Sequence, residues 1–143
     1  MPEHPHTFAD PDWSPYAGLR AAGTRAHPEA GPCFIVEGRI LVEDLLAQGR
    51  AGALRVVSVA ATPKDAERIG SLLPAGAKLL VAEEKAIAEL AGFAFHRGVM
   101  ACAVVPAEAP EARLLGARRL LVLPRILDLE NLGLLIRSAA ALG

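Results

Sequence analysis

From residue 33 to residue 105 the chain repeats one pattern: a short apolar run rich in β-branched residues, a Gly-, Pro- or Asp-containing turn, then an amphipathic stretch of helical length. Strands are expected over residues 33–37, 54–59, 78–82 and 98–105. Helices are expected over residues 39–48, from Thr62-Pro63-Lys64-Asp65 to about Leu73, and over residues 83–91. In the first helix Ile40, Leu41, Leu45 and Leu46 are assigned to one buried face, with Glu43 and Asp44 outward. Strands alternating with helices across connections of a few residues imply a compact α/β sandwich with helices on both faces of a sheet.

The ends of the chain read differently. Residues 1–32 are rich in Pro, His, Asp and Gly and are expected to form an irregular arm with one short helix, capped by Ser14, opened by Pro15 and stopped at Gly23. Residues 107–117 have linker composition, which places a domain over residues 1–106. Residues 118–123 then read as a strand buried on both faces, followed by an apolar helix over residues 131–142. One such strand and one helix cannot cover each other, so residues 118–143 are expected to be the start of a second domain continuing past Gly143.

Composition narrows the function classes. With 52% hydrophobic residues, 22% charged residues and a mean hydropathy of +0.33, the chain has enough apolar surface to fold, which excludes general disorder. No apolar run reaches bilayer length and no signal peptide is apparent, so a cytoplasmic location is the default expectation. Cys33 and Cys102 stand in separate apolar stretches and read as reduced core thiols. No metal is expected: His4-Pro5-His6 has no accompanying ligand cluster. Gly49-Arg50-Ala51-Gly52 reads as a turn, and no dinucleotide or phosphate-loop fingerprint is present. Twelve of the fifteen basic residues are Arg, and residues 113–143 carry a net +3 against −2 for each preceding segment. This usage fits either nucleic-acid binding or an Arg-rich genome composition.

The segment Asp128-Leu129-Glu130-Asn131-Leu132-Gly133-Leu134-Leu135-Ile136-Arg137-Ser138-Ala139-Ala140-Ala141-Leu142-Gly143 resembles the first signature motif of the SpoU/TrmH family of RNA ribose 2′-O-methyltransferases. Asn131, Gly133, Arg137 and Gly143 match its Asn, its two Gly and its Arg in register. The resemblance implies catalytic roles for Asn131 and Arg137 and structural roles for Gly133 and Gly143. From the residues alone, Asn131 can cap the helix and Arg137 lies one turn beyond Gly133 on the same side. An Arg there either serves a phosphate or ribose or pairs with Asp128 or Glu130.

Phe34-Ile35-Val36-Glu37-Gly38-Arg39 resembles the opening of the same family's N-terminal RNA substrate-binding domain, whose fold is similar to a ribosomal kink-turn-binding protein. His96-Arg97-Gly98-Val99-Met100-Ala101 is similar to the segment at that domain's last strand, with Arg97 where Gln is usual. The implied RNA contacts are Arg39, His96, Arg97, Arg20 and Arg25. Glu37 and Gly38 are structural, Glu37 accepting hydrogen bonds from backbone amides near Gly38. The resemblance further implies a trefoil-knot (SPOUT) catalytic domain, S-adenosylmethionine as cofactor, rRNA or tRNA as substrate and a homodimer. The motifs that would bind the cofactor are expected after Gly143, so this chain alone should bind it poorly and be inactive. A non-enzymatic RNA-binding module is the alternative.

Overall fold

The computed structural model describes residues 8–21 and 23–143, and the chain divides into two units, Met1–Pro106 and Ala107–Gly143. In the first, a 3-10 helix (Pro11–Tyr16) precedes β1 (Arg25–His27), β2 (Gly31–Glu37), α1 (Arg39–Arg50) and β3 (Val56–Ala61). Then come α2 (Pro63–Gly70), β4 (Lys78–Val81), α3 (Glu84–Ala91) and β5 (Val99–Val104). The sheet has the order β1-β2-β5-β3-β4 and is mixed: β3 and β4, joined through α2, are parallel, and every other pair is antiparallel.

Alternation along β5, the central strand, builds two cores. Met100 and Cys102 face one side with Trp13, Tyr16, Ile87, Ala91 and Phe95, so the 3-10 helix and α3 cover that face. Val99, Ala101 and Ala103 face the other with Val42, Leu45, Leu46 and Ile69, from α1 and α2. A bulge between Val56 and Ser58 in β3 gives Val56 and Val59 to the second core. Ser58 is fully buried, and the Tyr16 hydroxyl lies 3.0 Å from both its carbonyl and its hydroxyl oxygen.

The amino-terminal segment is not the irregular arm expected. Its helix is capped by Asp10, whose side chain accepts from the Asp12 amide, and it ends at Tyr16 rather than Gly23. Trp13 and Tyr16 enter the core, and β1 forms an edge of the sheet. The Gly18 and Leu19 amides donate to the Leu90 and Ala91 carbonyls at 2.9 and 2.8 Å, satisfying acceptors that the end of α3 leaves open. The phase of α1 also differs: Val42, Leu45 and Leu46 are buried, while Ile40 and Leu41 are 84% and 57% exposed. A stripe at 42, 45, 46 and 49 fits the helical period, and Gly49 lets the last turn approach Val56 and Pro74.

The second unit holds α4 (Glu111–Leu115), inside the expected linker, and α5 (Leu129–Leu142). Residues 118–123 form no strand; Leu120, Leu121 and Val122 are exposed, and no strand of this unit offers a backbone ladder to pair with. Asp128, not Asn131, caps α5, accepting from the Glu130 and Asn131 amides at 2.8 and 3.4 Å. Among the described residues no helix is long and apolar enough to cross a membrane.

Candidate nucleic-acid interface

Three connections meet at the end of the sheet where β2 and β3 finish and β5 begins. The Gly38 amide donates to the Val99 carbonyl and the Thr62 amide to the Gly98 carbonyl, each at 3.0 Å, which ties the starts of α1 and α2 to the turn before β5. Gly38 has φ +98°, and a Cβ there would lie 3.3 Å from Arg97 Cδ. The Arg97 side chain therefore rests on bare Gly38 backbone. Arg39 Nη2 donates to Asp65 Oδ1 at 2.8 Å, and Asp65 Oδ2 accepts from the Thr62 hydroxyl at 3.2 Å. Asp65 is buried at the start of α2, so it holds the half-exposed Arg39 side chain beside the 97–98 turn.

Arg39 and Arg97 thus flank one open groove of about 610 Å³, with Glu37, Gly38, Ile40 and Leu41 completing its lining. The groove joins two guanidinium groups to two exposed aliphatic side chains, a combination able to meet phosphate and the face of an unpaired base together. Ile40 and Leu41, assigned to the core by sequence, belong here. Asp65 was missed as a positioning residue; only the capping sequence that begins at Thr62 hinted at it.

The other sequence-derived contacts are placed elsewhere. Arg25 donates to the Pro15, Ala17 and Gly18 carbonyls at 3.3, 2.8 and 2.9 Å, which makes it a fastener of the amino-terminal segment. Arg20 is exposed outside the groove lining. His96 is exposed, with Nδ1 3.6 Å from Glu84 Oε1. Glu37 was expected to accept from backbone amides near Gly38; the Gly38 amide itself donates to the Val99 carbonyl. In the second unit Asn131 Nδ2 donates to Asp128 Oδ2 at 3.1 Å. Arg137 Nη1 lies 3.5 Å from where a Gly133 Cβ would stand, so the guanidinium covers Gly133 one turn back and forms no ion pair with Asp128 or Glu130. Gly143 has φ +80° at the end of α5.

Among the described residues no group of three His, Cys, Asp or Glu side chains could hold a metal ion; His4-Pro5-His6 lies outside them. The groove in the second unit, about 520 Å³, is lined by Arg118, Arg119, Leu120, Leu121, Ala139, Leu142 and Gly143. No family model matches the chain, and neither a curated protein nor a solved structure is detectably similar to it.

Proposed function

We propose that the first unit is an RNA-binding module, and that the chain is part of a SpoU/TrmH-type ribose 2′-O-methyltransferase acting on rRNA or tRNA. The observation that carries the RNA reading is the convergence of Arg39 and Arg97, distant in sequence, on one groove with exposed Ile40 and Leu41. Phosphate neutralisation supplies affinity there, and the apolar pair favours RNA with unpaired bases over a continuous duplex. A mixed sheet covered by helices on both faces agrees in outline with a kink-turn-binding type of fold.

The methyltransferase part rests on Asn131, Gly133, Arg137 and Gly143 standing in register, and the packing of Arg137 over Gly133 supports it. An Arg keeps its proton at all accessible pH, so Arg137 would stabilise charge on the ribose or its phosphate and position it, not act as base. S-adenosylmethionine as the methyl donor is part of this reading. A homodimer formed through the catalytic domain belongs to the same reading.

Fluorescence anisotropy with a labelled hairpin carrying a single-stranded loop, and with a matched duplex, tests the module. Arg39→Ala with Arg97→Ala should weaken hairpin binding and reduce the slope of log K against log salt by about 1–2. Arg97→Ala alone breaks no ion pair among the described residues and separates RNA contact from loss of the Arg39–Asp65 link. An unchanged slope removes both residues from the interface, and equal affinity for hairpin and duplex removes the preference for unpaired bases.

A further inference from the structure

His27 ends β1 opposite Gly31 of β2, with Pro28, Glu29 and Ala30 turning between them. It is buried, and both of its ring nitrogens are committed. Nε2 lies 2.8 Å from Asp12 Oδ1, and Nδ1 accepts the Glu29 and Ala30 amides, each at 3.1 Å. An acceptor at Nδ1 is an unprotonated nitrogen, so the ring proton sits on Nε2 and is donated to Asp12. One lone pair therefore holds the turn closed.

A second proton on this ring has a single place to go. It binds Nδ1, where the new N–H faces two amides that have lost their acceptor. The bond from Nε2 to Asp12 survives this change, and both bonds to the turn do not. Among the described residues neither amide has another backbone acceptor, so each turns to water, and the exposed position of Glu29 leaves room for that.

Charged groups reach this ring from every element around it. Asp12, from the 3-10 helix, favours the imidazolium, while burial of the ring and Lys78 of β4, which shares the same carboxylate, oppose it. Asp10 pairs with Lys78 at 3.8 Å, and Glu29 of the turn and Arg55 before β3 line the same small pocket of about 110 Å³. Asp10, Asp12 and Glu29 stand against Lys78 and Arg55, so an imidazolium adds a cation where carboxylates are in excess.

We infer that the β1–β2 turn is a proton-operated latch. Acidification places a proton on His27 Nδ1, the Glu29 and Ala30 amides are released, and residues 28–30 open while the Asp12–His27 bond and the two cores stay in place. The opening unclasps one end of β1 only. At its other end Arg25 still donates to the Pro15, Ala17 and Gly18 carbonyls. The latch does not depend on RNA binding at the groove.

The test follows the intact, ¹⁵N-labelled chain by NMR from about pH 7.5 to about pH 5. The His27 ring nitrogens should report a proton on Nε2 alone at the upper end and on both nitrogens at the lower. The Glu29 and Ala30 amide shifts should move with the same midpoint as the ring. Their protection, referred to the unstructured exchange rate at each pH, should fall about tenfold or more while that of β5 is kept. His27→Asn places a non-titrating acceptor near the Nδ1 position and should remove the transition; Glu29→Gln should retain it, which separates the ring from the neighbouring carboxylate. A ring that stays neutral to the lowest pH, a ring that titrates while both amides keep their shifts and protection, or a transition that persists in His27→Asn overturns the proposal. So does parallel loss of protection in β5, which would make the change a general unfolding. Should His27→Asn fail to fold, the parent decides: coincident ring and amide midpoints support the latch, and separate midpoints overturn it.

Discussion

At Gly98 a side chain would overlap the Asp65 carboxylate, and the backbone sits at φ +74°. Both facts arise from one arrangement, since Asp65 is drawn against this turn by its bonds to Arg39 and Thr62. Gly98→Ala should cost at least about 1–2 kcal/mol from the left-handed backbone alone, and more from displacing Asp65. Chemical denaturation measures the loss, and a variant as stable as the parent would refute this placement of Asp65. The residue patterns around this site were legible in part. Gly38 and Arg39 stood out beside Arg97, whereas Asp65 did not, because its partner is two elements away in sequence. Ile40 and Leu41 were misplaced because apolarity alone does not set helix phase; the entry from Gly38 and the close approach at Gly49 do. Tyr16 was also unread. Burial pushes its hydroxyl well above the ordinary range, so it stays neutral and bonds to Ser58 throughout physiological pH.

Among the elements, the 3-10 helix gains its place through Asp12, which reaches both β1 and β4. The buried His27 Nδ1 accepts the Glu29 and Ala30 amides, each at 3.1 Å, so the ring proton is on Nε2 and points to Asp12 Oδ1 at 2.8 Å. Lys78 supplies the third contact. Burial acts to raise the Asp12 carboxyl, but hydrogen bonds from Lys78 and His27, with the Lys78 charge, outweigh it and hold the group below its ordinary value. The sign follows from linkage. With the folded value depressed, the unfolded chain takes up the proton first as pH falls, so this contribution is complete above the unfolded value of about 3.9 and is lost through the folded one. Asp12→Asn should therefore destabilise the chain by about 1.5–3 kcal/mol at pH 7, and the gap from the parent should shrink below about pH 4. Denaturant melts at pH 7, 5 and 3 check this, and a pH-independent gap would mean that Asp12 acts through shape alone. Strand and helix order over residues 33–105 could be read from periodicity, because each element there carries its own pattern. The amino-terminal segment could not: the partners of Asp12 and Tyr16 lie in β1, β3 and β4, and nothing local announces them.

For the molecule as a whole, the division after Pro106 separates a unit with two apolar cores from one whose apolar residues are largely exposed. Amides of residues 118–127, which belong to no helix or ladder, should exchange orders of magnitude faster than those of β5, which is paired on both sides. Mass-spectrometric exchange distinguishes the two, and comparable protection would show that residues 118–127 have found backbone partners. Sequence by itself determined the α/β alternation and the positions of β2 through β5 and of α5, because hydrophobic period, turns and capping are local properties. Only the tertiary structure decided which arginines share a groove, that the amino-terminal segment completes the sheet and its core, and that residues 118–123 form no strand. Each of these depends on a partner distant in the chain or missing from the unit, and a backbone ladder, an ion pair or a buried face exists only when both halves are in place.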